Sequence, residues 1–294
     1  MEEGKIIKAL SGFYYVITKD ERIVQCRGRG VFRKQKITPL VGDFVQFQAE
    51  NDHEGYILNI FERKNELVRP PISNVDQAIL VFSAANPDFS TSLLDRFLVL
   101  IESKKMKSII CITKLDLLNE SEKESIDQFV HHYRSFGYEV ILTSSILNEG
   151  LDPFIHCIQG KTSVFAGQSG VGKSSLLNAI RPDLQLKTGD ISQSLGRGKH
   201  TTRHVELIKV EEGLIADTPG FSSLELTEIT AEELAACFPE MVERSHECKF
   251  RGCLHLNEPK CQVKAAVENG EIPSYRYEHY QQFMEEIKER KPRY

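Results

Sequence analysis

One stretch of eight residues, from Gly167 to Ser174, constrains the fold of this chain more than any other. It reads Gly-Gln-Ser-Gly-Val-Gly-Lys-Ser and fits the pattern G-x-x-x-x-G-K-[ST], in which backbone N–H groups surround nucleotide phosphates. Glycines suit such a loop because they permit positive φ and let phosphate oxygens approach bare backbone. Lys173 would reach the β- and γ-phosphates, and Ser174 would ligate Mg²⁺. The predicted phosphate loop comprises Gly167, Gln168, Ser169, Gly170, Val171, Gly172, Lys173, Ser174 and the adjoining Ser175.

The residues on either side of this phosphate loop agree with it. Residues 162–166 form a short apolar run typical of a strand, and residues 175–180 continue as a helix that ends at Arg181-Pro182. A strand, a loop and a helix in this order are the context that gives the pattern meaning. The pattern leaves open whether the nucleotide is ATP or GTP, and whether the reaction is hydrolysis or phosphoryl transfer.

Length and composition narrow the class of protein. The chain has 294 residues and a hydrophobic content of 40%, which predicts two or three domains with apolar cores. Because the net charge is −5, any contact with nucleic acid must use local basic patches. No apolar run approaches the ~18 residues that a membrane span needs, and the N-terminus does not resemble a signal peptide. Seven cysteines, an odd number, argue against a disulfide framework and favour the reducing cytoplasm. We also expect a monomer without membrane contacts.

The first predicted domain, residues 1–66, consists of short strands separated by turn residues. Five strands of this size suit a small closed barrel of the oligonucleotide-binding (OB) type. A basic loop with one aromatic residue, Phe32, lies between the third and fourth strands. We interpret it as an RNA-binding loop that follows a phosphate backbone, with a solvated loop as the alternative. The predicted RNA-binding residues of this loop are Arg27, Arg29, Arg33, Lys34 and Lys36.

The second predicted domain, residues 67–224, alternates strands and helices after a predicted linker at 69–73. This alternation predicts a mostly parallel sheet, whose ligands lie beyond the carboxyl ends of the strands. Thr113 and Thr143 each directly follow a predicted strand, as the phosphate loop does. We therefore expect these three segments to meet at one edge of the sheet.

The four residues from Thr113 to Asp116 read Thr-Lys-Leu-Asp and approximate the Asn-Lys-x-Asp element of guanine-nucleotide-binding proteins. That resemblance implies that the Asp116 carboxylate accepts the N1–H and N2–H₂ groups of guanine, a donor pair that adenine lacks. Lys114 would lie along the base and support the phosphate loop, whereas Thr113 departs from the usual Asn. Backbone N–H groups after the next strand would bind the guanine O6. The predicted guanine-binding residues are Thr113, Lys114, Leu115, Asp116, Thr143, Ser144 and Ser145.

A second polar element, Asp-Thr-Pro-Gly at 217–220, follows another apolar strand. Its Asp can hold a magnesium-bound water, and the N–H of its Gly can meet the γ-phosphate. Residues 192–203 are polar and interrupted by glycine, which suggests a switch segment ordered by the γ-phosphate. Together with the Asp116 element, these signals favour GTP. The predicted magnesium ligands are Ser174, Thr202 and Asp217, with Thr201 as an alternative to Thr202.

The residue after Asp-x-x-Gly bears on catalysis. Phe221 stands where Ras-like enzymes have a water-orienting Gln, and a phenyl ring cannot orient water by hydrogen bonding. We therefore expect slow intrinsic hydrolysis that a partner stimulates. His200 is our candidate for orienting the water, and a phosphate-contacting or exposed histidine is an equal alternative. The predicted catalytic residues are His200, Lys173, Thr201, Thr202, Asp217 and Gly220.

The order of these elements differs from that in ordinary GTPases. There the phosphate loop comes first and is followed by the switch Thr, Asp-x-x-Gly, Asn-Lys-x-Asp and the O6-binding loop. Here the last two elements precede the phosphate loop, so we predict a circularly permuted domain. The same sheet can be assembled from either order if the original termini lie close together.

The third predicted domain, residues 225–294, is mainly helical and contains a cluster of Cys and His. The spacing Cys-x₄-Cys-x-His-x₅-Cys brings three thiols and an imidazole into one short span. Zn²⁺ accepts such a set tetrahedrally, and four protein ligands make a structural site. His246 is a rival ligand. The predicted zinc ligands are Cys248, Cys253, His255 and Cys261.

A barrel, a permuted GTPase domain with Gly-Arg-Gly-x-His-Thr-Thr and Asp-Thr-Pro-Gly-Phe, and this Cys₃His set together resemble the bacterial ribosome small-subunit-dependent GTPase A family. The resemblance spans nearly the whole chain. It implies a small OB-type β-barrel, a circularly permuted α/β P-loop GTPase domain and a small zinc-binding domain, with one structural Zn²⁺ and with Mg²⁺ bound alongside GTP. It also implies a late assembly factor of the small ribosomal subunit that contacts ribosomal RNA (rRNA) and hydrolyses GTP there. A P-loop kinase and a non-catalytic, GTP-dependent RNA-binding module are the alternatives.

Overall fold

The computed structural model of the protein describes residues 1–30, 32, 37–51, 53–68, 70–186, 205–217 and 224–290. Three parts follow one another along these residues: a closed barrel, a six-stranded sheet with helices, and a helical C-terminal part. In the described ranges, no helix has the length and apolar character needed to cross a membrane.

The barrel has the five strands that the sequence predicts. Alternate side chains, among them Val16, Val24 and Phe47, point inward and are fully buried, as expected of strands with one face on a core. Neighbouring strands are antiparallel except for the third and fifth, which run parallel. In sheet order the closed barrel runs β1-β2-β3-β5-β4. The strands are β1 Glu2–Leu10, β2 Phe13–Thr18, β3 Ile23–Gly28, β4 Phe44–Ala49 and β5 Glu54–Ile60.

The predicted linker at 69–73 is instead partly a strand that packs on the barrel. Strands β6 (Glu66–Val68) and β7 (Pro71–Ser73) form a small antiparallel pair. Ile72 is fully buried, and the Ser73 hydroxyl donates to Asp43 at 2.6 Å. The two prolines and the serine of this stretch suggested a linker. The sequence alone did not indicate that Ile72 is buried.

The sheet of the second part is parallel apart from one edge strand. Its central strand β8 is buried at all seven positions, which explains the continuous apolar run in the sequence. In sheet order the strands run β10-β9-β8-β11-β13-β12, with β12 antiparallel to β13. The strands are β8 Gln77–Ser83, β9 Lys107–Thr113, β10 Glu139–Leu142, β11 Thr162–Ala166, β12 Leu207–Val210 and β13 Gly213–Asp217.

Four helices cover this sheet. Helix α1 begins after Ser90, whose side chain accepts the N–H of Leu93. In the capping box of α2, Asn119 and Glu122 each accept the other's backbone N–H. The helices are α1 Thr91–Glu102, α2 Glu120–Ser135, α3 Leu151–Ile158 and α4 Lys173–Ile180.

The C-terminal part packs four further helices around an apolar core. Thr230 and Glu233 form the capping box at its first helix. The core includes Phe238, Met241 and Phe283, all fully buried. The helices are α5 Ala231–Ala236, α6 Pro239–Ser245, α7 Gln262–Glu268 and α8 Ser274–Glu289.

Two buried cations join the three parts. Lys5 of the barrel donates to Thr162 at the start of β11 at 2.5 Å, and its ammonium lies 4.8 Å from the centre of the Phe44 ring. Burial lowers the pKa of Lys5 to about 8. On the other side, Arg276 of α8 donates to Asp95 of α1 at 2.5 Å and is 1% exposed. Hydrogen bonds from these two buried cations thus connect the barrel and the C-terminal part to the sheet-containing part.

Candidate nucleotide site and metal centre

The phosphate loop connects β11 to α4 and has the backbone that its glycines predict. The φ angles are +145° at Gly167, +81° at Gly170 and +96° at Gly172. A Cβ atom on Gly167 would lie 2.1 Å from the Val81 carbonyl oxygen of the neighbouring strand, so only glycine fits there. Because α4 begins directly after Gly172, its positive end faces the loop.

The lysine of the loop is folded across it. The Lys173 ammonium donates to the carbonyl oxygens of Gly167 at 2.9 Å and Gln168 at 2.7 Å. Ser174 is buried at the start of α4, while Gln168 and Ser169 are exposed. Two uncharged carbonyl oxygens therefore hold the Lys173 ammonium at the loop. A phosphate oxygen is charged and accepts a stronger hydrogen bond, so it can replace them.

Thr113, the departure from the usual Asn, ties the phosphate loop to the sheet. It is the last residue of β9, and its side chain is buried. Its hydroxyl lies 2.5 Å from the Val171 carbonyl oxygen and 3.2 Å from that of Phe82. A hydroxyl has one proton to donate, and the shorter distance assigns it to Val171. The threonine thus bonds directly to the phosphate loop.

Lys114 lies across the same loop from the outside. Its φ is +60°, which turns the chain sharply after β9. The ammonium donates to the carbonyl oxygens of Gly170, at 2.6 Å, and Asn86. It therefore connects the phosphate loop to the segment that follows β8. The sequence pattern predicted the contact with the loop but not the one with Asn86.

The Asp116 carboxylate is held by the next strand's loop. Its Oδ1 accepts the Ser144 hydroxyl at 2.6 Å, and the Ser144 hydroxyl oxygen accepts the N–H of Leu147 at 3.2 Å. Asp116 lies in a short 3₁₀ turn that starts at Leu115, whose N–H reaches the Thr143 carbonyl oxygen at 3.5 Å. The side chain of Ser144, rather than only its backbone, thus orients the carboxylate, and residue types alone did not indicate this.

Two of the three N–H groups predicted as candidates for the guanine O6 already have backbone partners. The N–H of Thr143 donates to Ile112 at 2.8 Å, and that of Ser144 donates to Glu149 at 3.0 Å. Both groups are already used by the backbone that builds the loop. Among the described residues no such bond involves the Ser145 N–H, so that group is the one of the three left for a ligand.

Several predicted catalytic and magnesium residues lie outside the described residues: His200, Thr201, Thr202 and Gly220, together with Phe221 and the side chain of Asp217. The backbone of Asp217 is described as the last residue of β13. It lies in register with Phe165 of β11, two residues before the phosphate loop begins. The backbone therefore brings Asp217 to the same sheet edge as the loop.

The basic barrel loop is described only in part. Arg27 and Arg29 are exposed, whereas Arg33, Lys34 and Lys36 lie outside the described residues. Phe32, the aromatic residue of this loop, is 6% exposed and belongs to the barrel core. It is therefore not available to stack on a base.

The Cys₃His set converges on one point in the C-terminal part. The ligand atoms of Cys248, Cys253, His255 and Cys261 all lie within 4.8 Å of one another. The His255 Nδ1 is 3.4 Å from the Cys261 Sγ and 3.7 Å from the Cys248 Sγ, and the two sulfurs are 3.9 Å apart. A tetrahedral zinc ion with ordinary bond lengths separates two sulfurs by about 3.8 Å and a sulfur from a nitrogen by about 3.5 Å. The arrangement fits zinc, whereas the rival His246 is exposed and outside the group.

The electrostatics of this cluster also favour a cation. Burial raises the pKa of Cys253 to about 12, and neighbouring Cys261 contributes. Burial lowers the pKa of His255, which keeps the imidazole in the neutral form that binds metals. Burial raises the pKa of Cys253 and of Cys261, so thiolates at these two residues need a nearby cation to compensate their charge. The N–H of Gln262, at the start of α7, donates to the Cys248 sulfur at 3.4 Å, a bond that supports a thiolate.

Comparisons with known proteins agree with this geometry. Residues 3–57 match the family model of the RsgA N-terminal domain, and residues 60–227 match that of the RsgA GTPase. The chain belongs to the RsgA GTPase family. It is 67% identical over 294 residues to the small ribosomal subunit biogenesis GTPase RsgA of Geobacillus sp. (strain WCH70), covering all of both chains. It is 64% identical over 298 residues to the protein of the same name from Bacillus subtilis (strain 168), again over both full lengths.

Two solved structures share the fold of this chain. The crystal structure of YloQ, a circularly permuted GTPase, has a TM-score of 0.86 and 59% identity, covering 100% of this chain and 97% of that one. The crystal structure of YjeQ from Thermotoga maritima has a TM-score of 0.87 and 36% identity, covering 99% of each chain. The predicted fold, with an OB-type barrel, a circularly permuted P-loop GTPase domain and a C-terminal part suited to zinc, is confirmed.

Proposed function

We propose that this protein is a GTPase that acts in the biogenesis of the small ribosomal subunit. The observation that carries the chemistry is the direct contact between two segments that lie far apart in sequence. Thr113 and Lys114 donate to the carbonyl oxygens of Val171 and Gly170, respectively. The Thr-Lys-Leu-Asp element at 113–116 and the phosphate loop therefore lie side by side in the proposed site. The names of the full-length relatives support the ribosomal assignment.

Each residue of the proposed GTP site has a role that follows from its chemistry. Asp116, oriented by Ser144, would accept the two N–H donors of guanine. Lys173 would exchange its carbonyl partners for β- and γ-phosphate oxygens. Ser174, Asp217 and Thr202 would hold Mg²⁺, which neutralises phosphate charge during hydrolysis. Gly220 would donate its N–H to the γ-phosphate.

Stimulation by the partner is part of the proposal. Phe221 cannot orient water, so the chain's own turnover of GTP should be slow. Contact with the small subunit would place His200 to orient the attacking water, and Thr201 or Thr202 to complete the magnesium shell. The structure of the switch segment lies outside the described residues.

Contacts with ribosomal RNA are proposed for both ends of the molecule. On the barrel, Arg27 and Arg29 are exposed, and we propose that the whole basic loop to Lys36 follows an RNA backbone. In the C-terminal part, the turn between the first two zinc ligands exposes Lys249, Phe250 and Arg251.

The proposed domains are residues 1–66, 67–224 and 225–294, in a cytoplasmic monomer with one structural Zn²⁺.

The decisive experiment is GTP hydrolysis with and without purified small ribosomal subunits, using Lys173→Ala as the control. We expect slow release of free phosphate by the protein alone, strong stimulation by small subunits, and loss of both in the variant. Phosphate transferred to an acceptor would indicate a kinase instead. No release even with subunits would indicate a non-catalytic RNA-binding module.

Replacing Asp116 by Asn tests the choice of base. The amide presents one donor where the carboxylate had an acceptor, so the guanine N2–H₂ group loses its partner. We expect GTP affinity to fall by roughly a hundredfold or more. Xanthosine triphosphate, which has a carbonyl at that position, should bind better than GTP. Titration of both nucleotides, with ATP as a non-binding reference, checks this, and unchanged GTP affinity would contradict the assignment of Asp116.

Replacing Thr113 by Val tests the bond between strand and phosphate loop. Valine keeps the shape but leaves the Val171 carbonyl oxygen without its donor, which costs about 1–3 kcal/mol when buried. We expect GDP and GTP affinity to fall about tenfold, while the preference over ATP persists. Thr143→Val is the matched control, because that buried hydroxyl lies near Ile112 and Cys111 and not at the loop. Equal affinities of the two variants, measured by titration calorimetry, would show that Thr113 has no such role.

A further inference from the structure

The outer surface of the barrel carries a row of side chains that crosses all five strands. The strand registers pair Leu10 with Phe13, Phe13 with Arg27, Arg27 with Tyr56, and Tyr56 with Gln48. These positions alternate with buried ones such as Val16, Cys26 and Ile57, so their side chains point outward. The row therefore follows from the pairing of the strands and not from the flexibility of a loop.

The centre of this row is a planar cation between two aromatic rings. The Arg27 guanidinium carbon lies 4.9 Å from the centre of the Phe13 ring, within range of a cation–π contact. Tyr56, on the strand on the other side of Arg27, is 37% exposed, and Arg27 itself is exposed. Exposed planar groups on neighbouring strands can stack on the flat faces of nucleobases.

The GTPase part contacts the barrel at side chains that lie close to this row. One step along the strands, Lys8 pairs with Glu206 at 2.9 Å, just before β12. Further along, Ile17 and Ile23 line a cleft of about 750 Å³ together with Leu207 of β12. Beside that junction, Leu10, Arg27 and Tyr56 of the row remain exposed.

We propose that Phe13, Arg27 and Tyr56 form a stacking platform for unpaired bases of single-stranded RNA. The proposal rests on the function proposed above and specifies the form of RNA that the barrel recognises. Bases in a duplex are stacked on one another and do not offer their faces, whereas unpaired bases do. Arg29, exposed two residues beyond Arg27, adds a second cation for the adjoining phosphates.

The test measures binding of a fluorescent single-stranded oligoribonucleotide to the full-length protein by anisotropy, beside a duplex of the same length. We expect tighter binding of the single strand, and a loss of about 5- to 100-fold for Phe13→Ala or Tyr56→Ala. Tyr56→Phe keeps the ring and should retain most of the affinity. Phe61→Ala is the matched control, because that ring is 37% exposed, as Tyr56 is, and lies just after β5 and outside the row.

Three outcomes would overturn the platform. The first is equal affinity for duplex and single strand. The second is an RNA affinity that neither alanine variant changes. The third is a variant that loses subunit-stimulated hydrolysis but keeps its RNA affinity, which would indicate that the residue contacts a protein. Thermal unfolding of each variant identifies any change in fold. Hydrolysis by the unsubstituted protein with subunits is scored separately, so failure of the proposed function is distinguishable from failure of the platform.

Discussion

Cys261→Ser is expected to abolish zinc binding and to unfold the C-terminal part of the protein. The four ligand atoms lie within 4.8 Å of one another, and a structural zinc site contributes roughly 10–16 kcal/mol to folding at neutral pH. Three of the four described helices in this part have only six or seven residues, so metal binding has a large share in its stability. Zinc content measured by atomic absorption should fall from one equivalent to none, and a thermal transition should be lost or lowered. A strong chelator should have the same effect on the unsubstituted protein.

Cys237→Ser provides the control for this prediction. Cys237 is buried in the same part of the molecule, but its thiol donates to the Glu233 carbonyl oxygen and is not part of the ligand group. This variant should retain its zinc and lose little stability. If Cys261→Ser still bound one equivalent of zinc with an unchanged unfolding profile, the metal centre assigned here would be wrong.

Arg276→Ala is expected to destabilise the protein by about 3–5 kcal/mol, because it leaves buried carboxylates without their cation. Arg276 donates to Asp95 at 2.5 Å and to Glu240 at 2.7 and 3.0 Å, and all three side chains are buried. Asp95 belongs to α1 of the GTPase part, so the loss should also loosen the contact of the C-terminal part with it. Urea unfolding at neutral pH measures the change.

A variant without any of the three charges separates charge from packing. Arg276→Met combined with Asp95→Asn and Glu240→Gln removes the cation and both anions together. It should be considerably more stable than Arg276→Met alone, because the charges of Asp95 and Glu240 are removed together with that of Arg276. If the triple variant were no more stable than Arg276→Met alone, the loss would come from packing, since the Arg276 guanidinium also lies 4.6 Å from the centre of the Phe238 ring.

Circular permutation leaves the C-terminal part directly attached to Asp-Thr-Pro-Gly, the element that we propose meets the γ-phosphate. Described structure resumes at Leu224 after Asp-Thr-Pro-Gly, and the Leu224 carbonyl oxygen accepts a bond from Arg96 of α1 at 3.1 Å. Arg96 also pairs with Glu286 of α8 at 2.5 Å. Any movement of the switch therefore has a short path to the last helix, which the ordinary order of GTPase elements would not provide.

Much of the site was predictable because its chemistry is local. A glycine-rich turn at 167–172 needs positive φ wherever it occurs, and the φ angles there are as predicted. Alternation of strands and helices implies that 113–116, 143–145 and the phosphate loop share one sheet edge, and they do. The spacing of the Cys₃His set was also sufficient, since a metal ion requires its ligands to converge.

The amino-acid sequence by itself determined which elements form and which residue types can bind phosphate, guanine and zinc, because those properties depend on backbone periodicity and ligand chemistry. Only the tertiary structure decided which backbone N–H groups and side chains near the predicted sites already have partners within the protein. The Thr143 and Ser144 N–H groups serve the backbone, and Phe32 fills the barrel core. It also decided that Arg27 lies between Phe13 and Tyr56, and that Arg276 meets Asp95 across 181 positions of chain. These contacts join distant segments, and no local pattern specifies them.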